Sequence, residues 1–156
     1  MRYLFLLCIS ACLVIMSCQK EAIQHNSDIQ LIKDYLAANN INAIEDSESN
    51  LFYTIYSESG DSIAPVRDKK IIIEVKYKAY LLDGTIVYDT GNVSTKVALD
   101  KSLYGWQLAM PKMDINDKML LFLPSRLAYG DEGHDDIPPN SVVIFDIELI
   151  EVFPHF

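Results

Sequence analysis

The sequence predicts an α+β fold: an antiparallel β-sheet wrapped around a short central α-helix, with a further helix near the N-terminus. Three observations carry this. Ile71, Ile73, Val75, Tyr77, Ala79 and Leu81 alternate with Glu74, Lys76 and Lys78, and Asp83-Gly84 follows as a hairpin signal. Val143, Phe145, Ile147 and Leu149 alternate in the same way with Asp146 and Glu148. Between these strands one stretch, Leu103–Met110, has room for about two helical turns before Pro111 limits it. Strands joined by short turns around one helix form an antiparallel sheet closed over that helix.

The N-terminus reads as a targeting segment. Arg2 precedes an uncharged apolar run from Tyr3 to Met16. That run is shorter than the roughly 20 residues a spanning helix needs, and it fits the core of a signal peptide. It ends in Ile15-Met16-Ser17-Cys18, which resembles a bacterial lipobox with Cys18 as the lipidated residue. The plainer alternative is an ordinary signal peptide with a chance cysteine. The expected organisation is a signal peptide over 1–17, a lipidated tether over 18–26, an N-terminal helix and linker over 27–50, and one folded domain over 51–156.

The cysteines are Cys8, Cys12 and Cys18. Cleavage would leave Cys18 alone, acylated, so no internal disulfide is expected. It would also remove only Arg2, leaving 12 basic side chains against 22 acidic, a net of −10. Such a surface excludes nucleic acid and anionic lipid as charge-driven partners. Membrane attachment would then rest on acyl chains, of which stable anchoring needs more than one. The lipoprotein modification that this motif implies supplies more than one.

From the anchor onward, Gln19–Asn26 is polar and aperiodic and reads as a tether. Ser27-Asp28 is a candidate helix cap, with Ile29, Ile32, Tyr35 and Leu36 spaced as one apolar face after it. Asn39-Asn40 stops that helix. The helix is expected to pack on the domain; dimerisation is the alternative. Leu51–Tyr56 reads as a strand, Gly60-Asp61 and Pro65 as a connection, and Ile71–Leu82 as the main strand of the first half. Thr85–Asp89 returns after the hairpin, and Val97-Ala98-Leu99 is a further short strand. Met113–Lys118 is a turn with Asn116 at its tight position. Two strands, Met119–Leu123 and Val142–Val152, flank a loop too long for a tight hairpin, and long ordered loops in compact domains are often functional.

That loop holds Leu127-Ala128-Tyr129-Gly130 and then Ile137-Pro138-Pro139-Asn140, and the strand after it reads Val143-Ile144-Phe145-Asp146-Ile147-Glu148-Leu149. In the first half stand Val75-Lys76-Tyr77, Leu82-Asp83-Gly84 and Tyr88-Asp89, and in the middle Leu103-Tyr104-Gly105-Trp106. Together these resemble the FK506-binding-protein (FKBP) type of peptidyl-prolyl cis-trans isomerase over about residues 51–152. The anchor, tether and N-terminal helix are similar to those of Bacteroidota lipoprotein isomerases, including gliding-motility-associated ones.

The resemblance implies rotation about X–Pro bonds. The barrier is about 18–20 kcal/mol, and uncatalysed exchange takes about tens to hundreds of seconds. No bond breaks, so no nucleophile, metal or cofactor is required. An apolar pocket that favours the twisted amide suffices.

By the resemblance, Tyr77, Tyr88, Trp106 and Phe145 are aromatic walls, with Trp106 as the floor under the proline ring. Leu103 and Ile137 are apolar rims, and Ile137 also offers its backbone N–H to substrate. The Tyr129 hydroxyl bonds a substrate carbonyl. Asp89, beside Tyr77, hydrogen-bonds within the pocket, so Asp89, Tyr129 and Tyr77 are the catalytic candidates. His134 is a further substrate-contact candidate. Replacing Trp106 by Leu is expected to weaken peptide binding and spare the fold. The implied partners are proline-containing peptide segments of client proteins, the membrane through the lipid anchor, and an FK506-like macrolide as a small-molecule ligand. The implied setting is the cell envelope, with the domain facing the periplasm.

Bland readings stand beside these. Aromatic residues on an alternating strand are usually core. Tyr88 replaces the family's usual Phe, Ser102 a common apolar residue, and Tyr104 a Pro or Arg; Val97 stands where an aromatic is common. These departures bear on efficiency and ligand affinity, and they support a non-catalytic binding or assembly module as the alternative. Asp131, Glu132, Asp135 and Asp136 fit no calcium-loop pattern and read as a solvated acidic loop. A hydrolase using Asp89, His134 and Ser125 lacks any supporting motif.

Overall fold

No glycine or proline interrupts residues 2–38, and the chain there forms one continuous helix, α1 (Arg2–Ala38). The structure is a computed structural model that describes the backbone over residues 2–57 and 70–154 and side chains over 19–56 and 70–153. The connection expected at Gly60-Asp61 and Pro65 lies outside the described residues, as does the Cys18 side chain. Gln19–Asn26 is thus helical rather than an irregular tether, and Ser27-Asp28 does not cap a helix start. Gln, Lys, Glu and Ala are strong helix formers, and they fill much of that segment. A buried or half-buried stripe runs through Gln24, His25, Asp28, Ile29, Ile32, Tyr35 and Leu36, the spacing of one helical face. The polar start of that stripe hid it from a search for apolar periodicity. Asn40 ends the helix in the left-handed region (φ 54°), and Ile41 N–H reaches back to Leu36 C=O at 2.9 Å.

The strands are β1 (Ile44–Glu45), β2 (Phe52–Ser57), β3 (Ile71–Leu81), β4 (Ile86–Asp89), β5 (Thr95–Ala98), β6 (Asp117–Leu123) and β7 (Val143–Pro154). They form one antiparallel sheet in the order β1-β2-β6-β7-β3-β4, with β5 also pairing with β3. The two-residue β1 has no sequence signal. At the β3–β4 hairpin, Gly84 takes φ 86° and Thr85 N–H donates to Asp83 Oδ1 at 2.9 Å. Asn116 takes φ 73° before β6.

Because side chains alternate, register sorts them into rows on two faces. On the inner face Tyr77 stands opposite Ile147, and that residue opposite Met119; Ala79, Phe145 and Leu121 make the next row. The short helix α2 (Tyr104–Ala109), continued by a 3-10 turn at Met110–Lys112 that contains Pro111, packs here. Trp106, Ala109, Met110 and Met113 are buried with Val75, Phe145 and Leu149 in this main core.

The outer face changes character along the strands. At one end Lys76, Glu148 and Lys118 form a charged row. At the other, Tyr80, Ile144, Phe122 and Phe52 form an apolar row, and α1 covers it with Ile32 and Leu36. Helices α1 and α2 therefore sit on opposite faces of the sheet.

Candidate active site

Tyr77 is the hub of an aromatic cluster on the inner face. Its ring stacks on Tyr88 with centroids 4.9 Å apart and planes 18° from parallel. Trp106 meets Tyr77 edge-on at 5.0 Å and Phe145 edge-on at 5.4 Å, while Tyr77 and Phe145 lie 6.2 Å apart. Edge-to-face pairs suit the ring quadrupole and fix each ring's tilt. Trp106 is 4% exposed, so the indole belongs to the core as well as to the cluster. Its Nε1–H is buried with no hydrogen-bond partner among the described residues. Tyr88, at 51% exposure, forms the outer edge.

α2 brings Trp106 to this place, and Gly105 allows it. A methyl on Gly105 would stand 2.5 Å from the Leu123 side chain of β6, so glycine lets the helix lie this close without displacing that leucine. Leu103, just before the helix, is half-buried against the core. It holds an extended conformation as N-cap (φ −50°, ψ 141°), so its N–H has no place in the helical ladder.

Tyr129 comes from the loop after β6. Pro124 leads into a 3-10 turn at Ser125–Leu127, and Ser125 C=O accepts from Ala128 N–H and from Gly130 N–H, each at 2.9 Å. Asn140 N–H then closes the loop on Gly130 C=O at 2.8 Å. Burial, then the nearby Asp135 carboxylate, raises the Tyr129 phenol. Burial also pushes Tyr77 up to about 12, helped by Tyr88 and Tyr129. Both hydroxyls thus stay protonated donors at physiological pH.

Three sequence expectations meet different surroundings. Asp89 stands opposite Lys78 in the register, which turns its carboxylate to the outer face. There Oδ1 accepts from Gly91 N–H at 2.8 Å and Oδ2 pairs with Lys78 Nζ at 3.0 Å. The Gly91 N–H first, then Lys78, lowers its pKa. The hydrogen bond expected for Asp89 inside the pocket is replaced by these two. Ile137 does border the core at 8% exposure, but its N–H already donates to His134 C=O at 2.8 Å rather than facing a substrate. His134 stacks on Tyr129 at 5.1 Å and 9°, with Nε2 3.3 Å from Asp135 Oδ2.

The residues weighed for a hydrolase are engaged with other partners: Ser125 Oγ donates to Asp28, Asp89 pairs with Lys78, and His134 stacks on Tyr129. Asp131, Glu132, Asp135 and Asp136 are exposed, as a solvated loop would be. Ser102 Oγ donates to Leu99 C=O at 2.7 Å, so its hydroxyl closes the turn before α2. Val97 packs partly buried against the main core.

A groove of about 470 Å³ is lined by Tyr77 and Asp89 together with Lys76, Lys78, Lys118, Asp146 and Glu148. Lys78 and Asp89 pair there at 3.0 Å, and Tyr56 O–H donates to Asp146 Oδ1 at 3.0 Å. The groove is lined mainly by charged and polar side chains, whereas the ring cluster is apolar.

Residues 64–150 match the family model of FKBP-type peptidyl-prolyl cis-trans isomerases. The chain belongs to this family. It is 35% identical over 124 residues to the FKBP-type isomerase FkpA of Aeromonas hydrophila, covering 77% of this chain and 45% of that protein. Against FK506-binding protein 2 of Debaryomyces hansenii it is 34% identical over 85 residues, 52% of this chain and 63% of that one. The chain thus spans about half the length of the curated relatives it matches. The crystal structure of FkpA from Escherichia coli superposes with a TM-score of 0.70 at 26% identity, covering 95% of this chain and 71% of that one. An isomerase structure from Pseudomonas syringae gives 0.67 at 28% identity, covering 83% and 96%. The FKBP-like sheet, central helix and N-terminal helix are common ground with these structures.

Proposed function

We propose that this protein is a peptidyl-prolyl cis-trans isomerase that assists folding of envelope proteins. The observation that carries the proposal is the cluster in which Tyr77, Trp106 and Phe145 meet at fixed tilts beneath the exposed edge of Tyr88. The proline ring of a client segment would sit against the cluster of Tyr77, Trp106 and Phe145, with Leu103 and Ile137 as rims. The Tyr129 hydroxyl would hold a substrate carbonyl, and His134 would brace Tyr129 through their stacking. With Ile137 N–H engaged, Leu103 N–H, outside the helical ladder of α2, would be the alternative backbone donor. The twisted amide is less conjugated and less polar than the planar one, and an apolar seat favours it. Asp89, turned outward, has no part in this scheme. An FK506-like macrolide would compete for the same seat.

The decisive measurement is cis/trans exchange of a Leu-Pro peptide by NMR, with and without the folded protein. Acceleration supports the enzyme. Peptide binding without acceleration supports the second reading, a non-catalytic binding or assembly module, which the outward Asp89 favours.

For location, we propose a lipoprotein of the cell envelope, cleaved after Ser17, acylated on Cys18 and facing the periplasm. The apolar run before Cys18 supports this reading. Among the described residues no helix is long and apolar enough to cross a membrane. Cys18→Ser should release the protein from the membrane fraction or leave a precursor. Fatty-acid labelling as strong as in wild type would overturn the assignment.

A further inference from the structure

We infer that Asp28, on the N-terminal helix, is a positioning residue for Tyr129, an inference that rests on the isomerase reading above. Asp28 is fully buried in the middle of a helical stripe that continues with Ile29, Ile32 and Leu36. Its Oδ2 accepts from Ser125 N–H at 2.9 Å and from Ser125 Oγ–H at 2.6 Å. Gln24 Nε2 donates to Oδ1 at 2.8 Å. Hydrogen bonds to a carboxylate are short and strong, and a buried one demands that its donors hold their places.

Ser125 transmits that demand. Its carbonyl accepts from Ala128 and Gly130 N–H, the amides on either side of Tyr129. Gly130 in turn anchors Asn140, where the long loop returns to the sheet. One carboxylate therefore fixes the first residue of the turn, that residue fixes both neighbours of the tyrosine, and the far end of the loop closes on the same point. The strap crosses from the outer-face helix to the inner-face site at the end of β6, where the sheet no longer separates them. Without Asp28, Ser125 loses the acceptor of its N–H, and the Tyr129 hydroxyl loses its fixed reach to the substrate carbonyl.

The test compares Asp28→Ala, Asp28→Asn and Ser125→Ala in the full chain, with Lys33→Ala as control. Lys33 lies on the same helix, in an exposed ion pair with Glu45 at 3.0 Å. The readouts are exchange of a Leu-Pro peptide, resolved into kcat and KM, and the backbone amide shifts of Ala128, Gly130 and Asn140. Circular dichroism checks folding. Asp28→Ala should lower kcat about 10-fold and move the Gly130 amide, since small misplacements of a contacting group are costly. Asp28→Asn keeps an oxygen acceptor and should recover most of the rate, and Lys33→Ala should match wild type.

A folded Asp28→Ala with wild-type kcat and unmoved loop amides would overturn the inference. So would a loss of rate that Lys33→Ala reproduces. If Asp28→Ala does not fold, Ser125→Ala decides: it removes the shorter of the two bonds to Asp28, so the Ala128 and Gly130 amides should move, and unmoved amides together with a wild-type kcat overturn the inference. A wild-type protein that does not accelerate exchange would overturn the isomerase reading alone, and the loop amide shifts would then decide the positioning.

Discussion

Gly105 and Leu123 touch so closely that a methyl on the glycine would lie 2.5 Å from both terminal carbons of the leucine. Leu123 is fully buried, so its side chain can move aside only by disturbing packed neighbours. The contact sets the height of α2 above the sheet, and Trp106 is the next residue.

Gly105→Ala should therefore be destabilising even though alanine is the better helix former. Overpacking costs about 1–3 kcal/mol, against a helix-propensity gain of about 1 kcal/mol. A urea melt measures the net effect, and Trp106 emission reports whether the indole has shifted. Unchanged stability and emission would mean that Leu123 yields freely.

Trp106→Leu was expected from sequence to leave the fold intact. The enclosure of the indole between Tyr77 and Phe145 changes that expectation. The variant should lose about 2–4 kcal/mol of stability, because it removes a large buried ring. Peptide affinity should also fall by about 1–2 kcal/mol. In the wild type, a Leu-Pro peptide should shift the emission of this single tryptophan saturably. Emission unmoved by a peptide that NMR shows to be bound would place the indole outside the seat.

The acid limb of stability should depend on Asp46. Its carboxylate meets Lys112 Nζ at 2.7 Å and accepts from Ser49 N–H and Oγ–H. Lys112 first, then Ser49, holds its pKa well below the ordinary 3.8. A depressed carboxylate stabilises the fold above its unfolded value and loses that contribution as pH falls below it. Asp46→Asn should thus be less stable than wild type at neutral pH, with the gap closing as pH drops below about 4. Urea midpoints between pH 7 and 2 would show this, and a constant gap would refute it.

The alkaline limb should depend on Tyr77 and Tyr80. Burial raises each phenol from 10.0 to about 12. A raised phenol favours the folded state fully below its unfolded value, and the contribution fades as pH climbs through the folded value. Stability should fall between about pH 10 and 12, and Tyr80→Phe should blunt the fall. Tyrosine absorbance and urea melts would follow it; ionisation complete by pH 10 would contradict it.

The sheet was legible because its strands obey simple alternation: β3 with its Asp83-Gly84 turn, and β7 through Leu149. The aromatic members of the site were legible through the family's spacing, and the structure gathers Tyr77, Tyr88, Trp106 and Phe145 as neighbours. What escaped depended on tertiary partners. Asp28 looked like a cap because a buried carboxylate has no signature until Ser125 is seen opposite it. The outward turn of Asp89 follows from its pairing with Lys78, and the lost Ile137 N–H from a bond across a loop. Gly105 carried a faint signal, a glycine in a six-residue helix, whose reason was a leucine on another strand.

One feature of β7 concerns chain length. Opposite β3 the pairing passes from Val75–Leu149 directly to Glu74–Glu151, leaving Ile150 as a bulge. Glu151 thereby stays exposed and Val152 still packs on the core, although simple odd-even counting would exchange them. The bulge works like a compensated frameshift: one surplus residue is absorbed without changing how the downstream residues are read. Deleting Ile150 would therefore restore an unbroken alternation, whereas deleting a residue between Val143 and Leu149 would turn one part of the strand inside out. In this strand, tolerance of a lost residue is concentrated at a single position.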